Sequence, residues 1–293
     1  MSASTLPIPG FAKPVAKVSF FAKRGATKTL LGGSIVGLII LFVVLSPWIA
    51  PYDPIKQALS ERLRPPMFFG GDLRHLFGTD ELGRDLLSRV MSGGRVSLTI
   101  AALAVVGSTS LGTFLGLISA YYGGKLDSVL TMLAEIQLSL PSILIIIVFL
   151  VVFGPSIVTL GLILALSDWV SYSRTMRGRG LVESARDYIV AARAIGVKDW
   201  HIILRHLWPN VLPTLLVLAT LSIGSVILTE SSLSYLGLGI QRPFPSWGRM
   251  VSDGQAYITN AWWISTIPAL VIGLMVFGLN LLGDGLRQLW KME

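Results

Sequence analysis

The chain has 293 residues, 53% of them hydrophobic and 14% charged, and a net charge of +8. A soluble domain is charged at roughly a quarter of its positions, so most of this surface faces lipid, and long uncharged runs override the two soluble domains that length alone would give. The absence of cysteine excludes disulfide frameworks, thiolate zinc sites, iron–sulfur clusters and cysteine nucleophiles. His75, His201 and His206, none paired at a metal-binding spacing in an apolar run, read as polar loop residues.

The first uncharged run, residues 30–50, covers a hydrocarbon core of ~30 Å at ~1.5 Å per residue. It is too long for a signal peptide, and Pro51 follows the small residue at which cleavage would fall, so it reads as a retained span. A second span lies within 96–124 and stops at Tyr122-Gly123-Gly124. No charge occurs from 136 to 167, too long a run for one span of ~20 residues. Gly154-Pro155 divides it into spans at about 130–152 and 156–172, joined as a tight hairpin. A fifth span follows Pro209 and Pro213 to about 235, and a sixth occupies about 262–282. Six helices result, because the runs lack period-two alternation and lipid offers the backbone no hydrogen bonds. Gly33 with Gly37, and Gly112 with Gly116, place small residues on one face of spans one and two and are read as ordinary bundle packing.

Six spans put both termini on one side. That side holds Lys13, Lys17, Lys23, Arg24, Lys28, Lys125, the seven basic residues from 174 to 205, Arg287 and Lys291, which together are 15 of the 24 basic residues. Both termini are therefore expected in the cytoplasm. Topology and contact with anionic lipid account for the positive charge, and no interleaved aromatic platform supports nucleic-acid binding. Gly123-Gly124-Lys125-Leu126 lacks the upstream glycine and the Ser or Thr of a phosphate-binding loop, so no nucleotide site is expected in this chain. Gly237-Leu238-Gly239 lacks the third glycine of a dinucleotide fold and reads as a helix stop.

Glu135, Asp168 and Glu230 fall in or at the edge of spans, where acids default to a functional role such as proton coupling. Glu135 and Asp168 lie within about two turns of the expected cytoplasmic ends and Glu230 near the outer surface, with no basic partner on their faces. Solvated or helix-packing roles are therefore preferred for all three. Outside the membrane, 78–90 reads as an amphipathic helix: Leu82, Leu86 and Val90 recur every four residues, Asp80 and Glu81 suit a helix start, and Asp85 precedes Arg89 by four. It should lie along the membrane surface, either only orienting span two or meeting an external partner. The loop 174–209 carries Val190-Ala191-Ala192-Arg193-Ala194-Ile195-Gly196, a small-residue helical face closed by a glycine suited to positive φ. Trp200, Ile203, Leu204 and Leu207 then form a second apolar stripe. This is a helix, a turn and a helix outside the membrane, either self-packed or offering its alanines and arginines to a partner groove.

The loop resembles the cytoplasmic motif of inner-membrane subunits of ATP-binding-cassette importers: Glu-Ala-Ala, three residues, Gly, nine residues, then Ile-x-Leu-Pro. Ala191, Ala192, Gly196 and Pro209 fall in register, while Val190, His206 and Trp208 stand where the family has Glu, Ile and Leu. A narrower resemblance, to the C-type permease of dipeptide and oligopeptide importers, rests on Gly78-Thr79-Asp80-Glu81-Leu82-Gly83-Arg84-Asp85, Tyr122 to Asp127, Leu233 to Gly239, Ser246-Trp247-Gly248 with Ser252-Asp253-Gly254, and Gly283 to Arg287. Gln288 stands where Asp usually follows.

The resemblance implies an all-α, six-helix bundle of the type I importer (MetI-like) kind in a bacterial inner membrane. Its parts would be a cytoplasmic tail (1–29), a first span (30–50), a periplasmic segment with an interfacial helix (51–95) and a five-helix core (96–290) with a coupling loop (174–209). It implies a transport subunit and not an enzyme, paired with a second permease and served by two ATPase subunits that bind ATP and Mg. A periplasmic or lipid-anchored solute-binding protein would deliver di- or oligopeptides; the same machinery also serves nickel, glutathione and other small solutes. The coupling site would be Ala191, Ala192, Gly196, Trp200 and Pro209, and the external motif Gly78, Thr79, Asp80, Gly83, Arg84 and Asp85. The rival readings are a proton-coupled carrier working through Glu135, Asp168 or Glu230, and a membrane scaffold with no pore.

Overall fold

A computed structural model of the chain describes residues 15–290, with side chains from residue 25. Residues 1–14 of the expected cytoplasmic tail lie outside the described residues. In chain order the helices are α1 (Val15–Ile49), α2 (Leu86–Tyr122), α3 (Gly124–Ser139), α4 (Ser142–Phe153), α5 (Ile157–Ser184), α6 (Asp187–Ala194), α7 (Asp199–Ile202), α8 (Trp208–Tyr235), α9 (Trp247–Gln255) and α10 (Trp263–Leu289). The only β pairing among the described residues is one isolated bridge between Thr79 and Asp85. A π-helical turn, Ile203–Leu207, joins α7 to α8. It lies just before Pro209, whose missing N–H and ring disturb the regular ladder.

Four stretches are long and apolar enough to cross a membrane: Gly25–Ile49, Leu86–Tyr122, Asp199–Tyr235 and Trp263–Leu289. A fifth is reached if α3 and α4 form one span, although they are bent by 85°. The expected count of six is met only by adding α5, whose 28 residues are long enough but whose apolar run is cut by Asp168 and Arg174. The straight third span expected at 130–152 is thus a broken one. Pro141 supplies no N–H and disfavours helical geometry at Leu140, which is extended (φ −102°, ψ 136°). The stop at Gly154 is as expected, with φ at 76°, and Gly123 and Gly124 turn α2 into α3 with φ of 61° and 55°.

Small residues set the helix contacts. Along α2 and α5 a Cβ on Gly107 would come within 2.7 Å of the Ala165 Cβ, one on Gly161 within 2.7 Å of the Leu103 Cβ, and one on Gly116 within 3.0 Å of the Arg177 backbone N. These two helices therefore approach through glycines contributed by both. In α1 the close approach is made one residue before the expected pair. A Cβ on Gly32 would meet the Leu282 backbone N at 2.5 Å and the Gly278 carbonyl at 2.6 Å, whereas one on Gly37 would meet nothing. Buried Ile100, Leu160, Ile227, Leu233, Trp247 and Met275 tie α2, α5, α8, α9 and α10 into one core. Leu30, Val106, Val151 and Phe277 stand exposed on the outside, as a lipid-facing surface requires.

The segment before α2 departs most from expectation. Residues 78–85 are not a helix: α2 begins at Leu86, with Asp85 as its N-cap accepting from the Ser88 N–H. Gly78 and Gly83 sit at φ of 80° and 73°, and the Asp80 carboxylate accepts from the backbone N–H groups of Leu82 and Arg84. A short acidic side chain that satisfies nearby backbone donors competes with helix formation. The stretch is also buried by the rest of the chain: Thr79, Asp80, Arg84 and Asp85 are each at most 3% exposed. The boundary expected at residue 95 falls inside α2.

Candidate functional site

At one end of the bundle α6, the turn at Gly196 and α7 form a knob. Gly196 has φ of 79°; its N–H donates to the Arg193 carbonyl and that of Val197 to the Ala192 carbonyl. This six-to-one closure requires a residue that adopts the left-handed region without strain. One face of the knob is packed: Ile189, Ile202, Ile203 and Leu207 are buried with Leu117, Tyr172 and Met176 of α2 and α5. The Tyr121 hydroxyl donates to Asp199 (2.7 Å) and its ring lies 4.2 Å beneath the Arg193 guanidinium. The other face is open, with Val190, Ala191, Ile195, Gly196, Trp200, Leu204 and Pro209 exposed and Ala192 half-buried. The expected apolar stripe is therefore divided, with Ile203 and Leu207 facing inward and Trp200 and Leu204 outward.

At the opposite end, residues 51–85 cover the start of α2 and meet α9 and α10, so the expected external motif is brought together with residues far along the chain. Arg84 Nε bonds Asp80 (2.7 Å) and its terminal nitrogen meets Glu81 (3.2 Å). Arg89 reaches Asp80 (3.2 Å), and Asp253 gathers Arg242 (2.8 Å) and Arg249 (3.2 Å). The Trp263 indole donates to the Thr79 carbonyl (3.1 Å), and a Cβ on Gly83 would overlap the Ala58 carbonyl. His75 lies in a loop as expected but is buried, with its two ring nitrogens 2.9 Å from Asp85 and Glu61. Burial alone would lower its pKa, but the hydrogen bonds and charges of Asp85 and Glu61 outweigh it and raise the value above 6.5. The same bond lowers the Glu61 pKa below 4.5. Burial, reinforced by Asp80, raises that of Glu81.

Glu230, expected near the outer end of its span, is fully buried within the protein. It accepts from Ser97 (3.0 Å) on α2 and Ser234 (2.7 Å) on α8, while Ser246, the N-cap of α9, donates to Ser234 (3.3 Å). It makes no ion pair among the described residues and links α8 to α2 through its bond with Ser97, with Ser234 holding the carboxylate from its own helix. Glu135 lies eleven residues into α3, about 16 Å from its start, deeper than expected, in a cleft with Arg174 of α5. Sequence reading missed these partners because each joins positions far apart in the chain. Ser97 and Ser246 carry no local signal, whereas Pro141 marks the break in the third span.

This geometry, a glycine-packed helical bundle with an extramembrane knob at one end and a charge-locked cap at the other, is that of a polytopic membrane transport subunit. The chain belongs to the family of binding-protein-dependent transport system inner membrane components, which it matches over residues 112–290. Residues 20–66 match the N-terminal transmembrane domain of oligopeptide transport permease C. It is 39% identical over 282 residues to the di/tripeptide transport system permease protein of Pseudomonas aeruginosa, covering 96% of this chain and 93% of that protein. It is 42% identical to the dipeptide transport system permease protein of Escherichia coli, covering 87% of each. The corresponding protein of Bacillus subtilis is 38% identical over 86% of this chain and 78% of its own length. The sequence-level expectation of a permease of the peptide-importer family is met, and the chain is a membrane component of a transporter and not a catalytic subunit.

Proposed function

We propose that this chain is one of two permease subunits of an ATP-driven importer of short peptides. A second permease completes the path, two ATPase subunits holding ATP and Mg dock on the α6–α7 knob, and a periplasmic or lipid-anchored binding protein delivers the peptide to the opposite end. Both termini then lie in the cytoplasm of a bacterial inner membrane, on the knob side. The peptide assignment rests on the relatives named above.

The observation that carries the coupling assignment is the open face of the knob. Ile195 is 81% and Trp200 54% exposed on an element whose other face is locked to α2 and α5. An apolar patch outside the membrane, rimmed by Arg193 and Lys198, fits an interaction site, and a knob fixed to long helices moves as a lever when its partner moves. Ala191 and Ala192 let a partner groove close over the backbone, Gly196 turns the chain, Trp200 fills the groove and Pro209 directs the chain into α8. The buried motif of Gly78, Thr79, Asp80, Gly83, Arg84 and Asp85 serves as the rigid frame of the cap that receives the binding protein. Gly196→Asp adds a charge and a strained left-handed side chain to the open face, where a Cβ meets nothing within 4 Å. It should abolish peptide uptake and the ATPase activity evoked by loaded binding protein, while the chain still inserts. Unchanged uptake would remove the docking assignment.

A further inference from the structure

The cleft holding Glu135 is bounded by α2, α3 and α5 and encloses about 270 Å³. Its lining includes Glu135, Arg174, Thr131, Ser119 and Ser173. Arg177, at its edge, is already held by Asp127 (2.6 Å). Glu135 and Arg174 are different: among the described residues neither makes an ion pair within 4.0 Å, with each other or with a third group. Two opposite charges thus face one cavity and neither is neutralised from within the chain. Both side chains are exposed, and ionisable groups on spanning helices mark substrate paths by default.

Their offset along the bundle follows from the register of α3 against α5. Asp127 meets Arg177, and the Gln137 side chain bonds the Ser167 carbonyl (3.0 Å), so the two helices run antiparallel with Glu135 level with Trp169 and Arg174 level with Leu130. The Cα positions of the two residues are then offset by five positions along the axis, about 7.5 Å, a length comparable with the ~7 Å span of an extended dipeptide. The break at Leu140-Pro141 follows five residues after Glu135 on the same helix, and discontinuous helices are where transported solutes are bound in other membrane bundles.

We propose that Glu135 and Arg174 form a binding site for the two charged ends of a short zwitterionic peptide, with the α-ammonium on Glu135 and the carboxylate on Arg174. Thr131 and Ser173 supply hydroxyls for the peptide backbone, while the Ser119 hydroxyl is already held by Asp127. This deepens the reading of the chain as a peptide permease and rests on it.

The test is made on the whole transporter, with its partner permease, ATPases and binding protein, in proteoliposomes. Uptake of radiolabelled alanyl-alanine and ATP hydrolysis are measured together at saturating binding protein. Glu135→Gln and Arg174→Gln should each lower dipeptide moved per ATP hydrolysed by about tenfold, as expected when one charge-assisted contact is lost, with the stimulated ATPase kept within about twofold. Glu135→Asp and Arg174→Lys, which keep the charges, should restore most of the yield and carry the comparison if a glutamine variant fails to assemble. An unchanged yield in both glutamine variants overturns the site, as does a parallel fall of uptake and ATPase activity, which marks a structural role. A wild-type complex that imports no peptide at all refutes the peptide reading itself, and is distinguished by its own failure before any variant is compared.

Discussion

Replacing Glu230 separates a packing role from a proton-carrying one. The carboxyl group sits at the junction of α2, α8 and α9, and Glu230, Ser97, Ser234 and Ser246 are all fully buried. Glu230→Ala removes the acceptor of both the Ser97 and Ser234 hydroxyls and leaves two unsatisfied polar groups, at ~1–3 kcal/mol each, beside a new cavity. The loss should be about 3–5 kcal/mol. Glu230→Gln keeps the shape and one acceptor oxygen, and either serine hydroxyl can turn to accept from the new amide, so its cost should stay below about 1 kcal/mol. In thermal unfolding of the purified chain in detergent, at roughly 2–4 °C per kcal/mol for a domain of ordinary size, the alanine variant should melt ~10 °C lower and the glutamine variant within ~3 °C of wild type. ATP-driven uptake should survive in the glutamine variant. If Glu230→Gln folds as stably as wild type but imports nothing, the acid is needed for its proton and the packing argument fails. Equal destabilisation by both variants would refute the hydrogen-bond account.

Gly32→Ala should loosen the contact of α1 with α10 by about 1–3 kcal/mol, because its Cβ meets backbone and not a movable side chain. Gly37→Ala, facing open space, should be neutral or stabilising by up to ~1 kcal/mol, and equal melting shifts for the two would show that the approach is not set at Gly32. The cap should depend on pH in a stated window. The raised pKa of His75 makes its pairing with Asp85 and Glu61 fully stabilising below 6.5 and lost as pH climbs through the folded value. The lowered pKa of Glu61 makes its share present above 4.5 and lost as pH falls through its folded value. Amide exchange in residues 51–85, corrected for intrinsic rate, should be several-fold less protected at about pH 8.5 than at about pH 5.5, and His75→Gln should remove most of that difference; an equal pH response in the variant would assign it elsewhere.

The sequence by itself determines what depends on composition and on the geometry of single residues. Too few charges to solvate a surface, with uncharged runs of spanning length, make the chain a helical membrane protein whatever its tertiary contacts. Gly123, Gly124, Gly154, Gly196 and Gly237 end or turn helices where expected, because each sits at positive φ, which is a property of the residue itself. The helix-turn-helix knob was legible for the same reason. Other features were decided by groups distant in the chain. The period-four pattern of Leu82, Leu86 and Val90 points to a helix through 78–85, but Asp80 bonds local N–H groups there while Arg84, Arg89 and Trp263 close around the loop. The choice of Gly32 over Gly33 and Gly37 is set by the rotation of α1 against α10. The environment of Glu230 depends on a serine 133 positions away, and the axial offset of Glu135 from Arg174 on the register that Asp127, Arg177 and Gln137 impose. Local conformational preference acts within a turn or two of chain, whereas burial, charge pairing and helix register exist only once distant segments share one space, so those features belong to the tertiary structure.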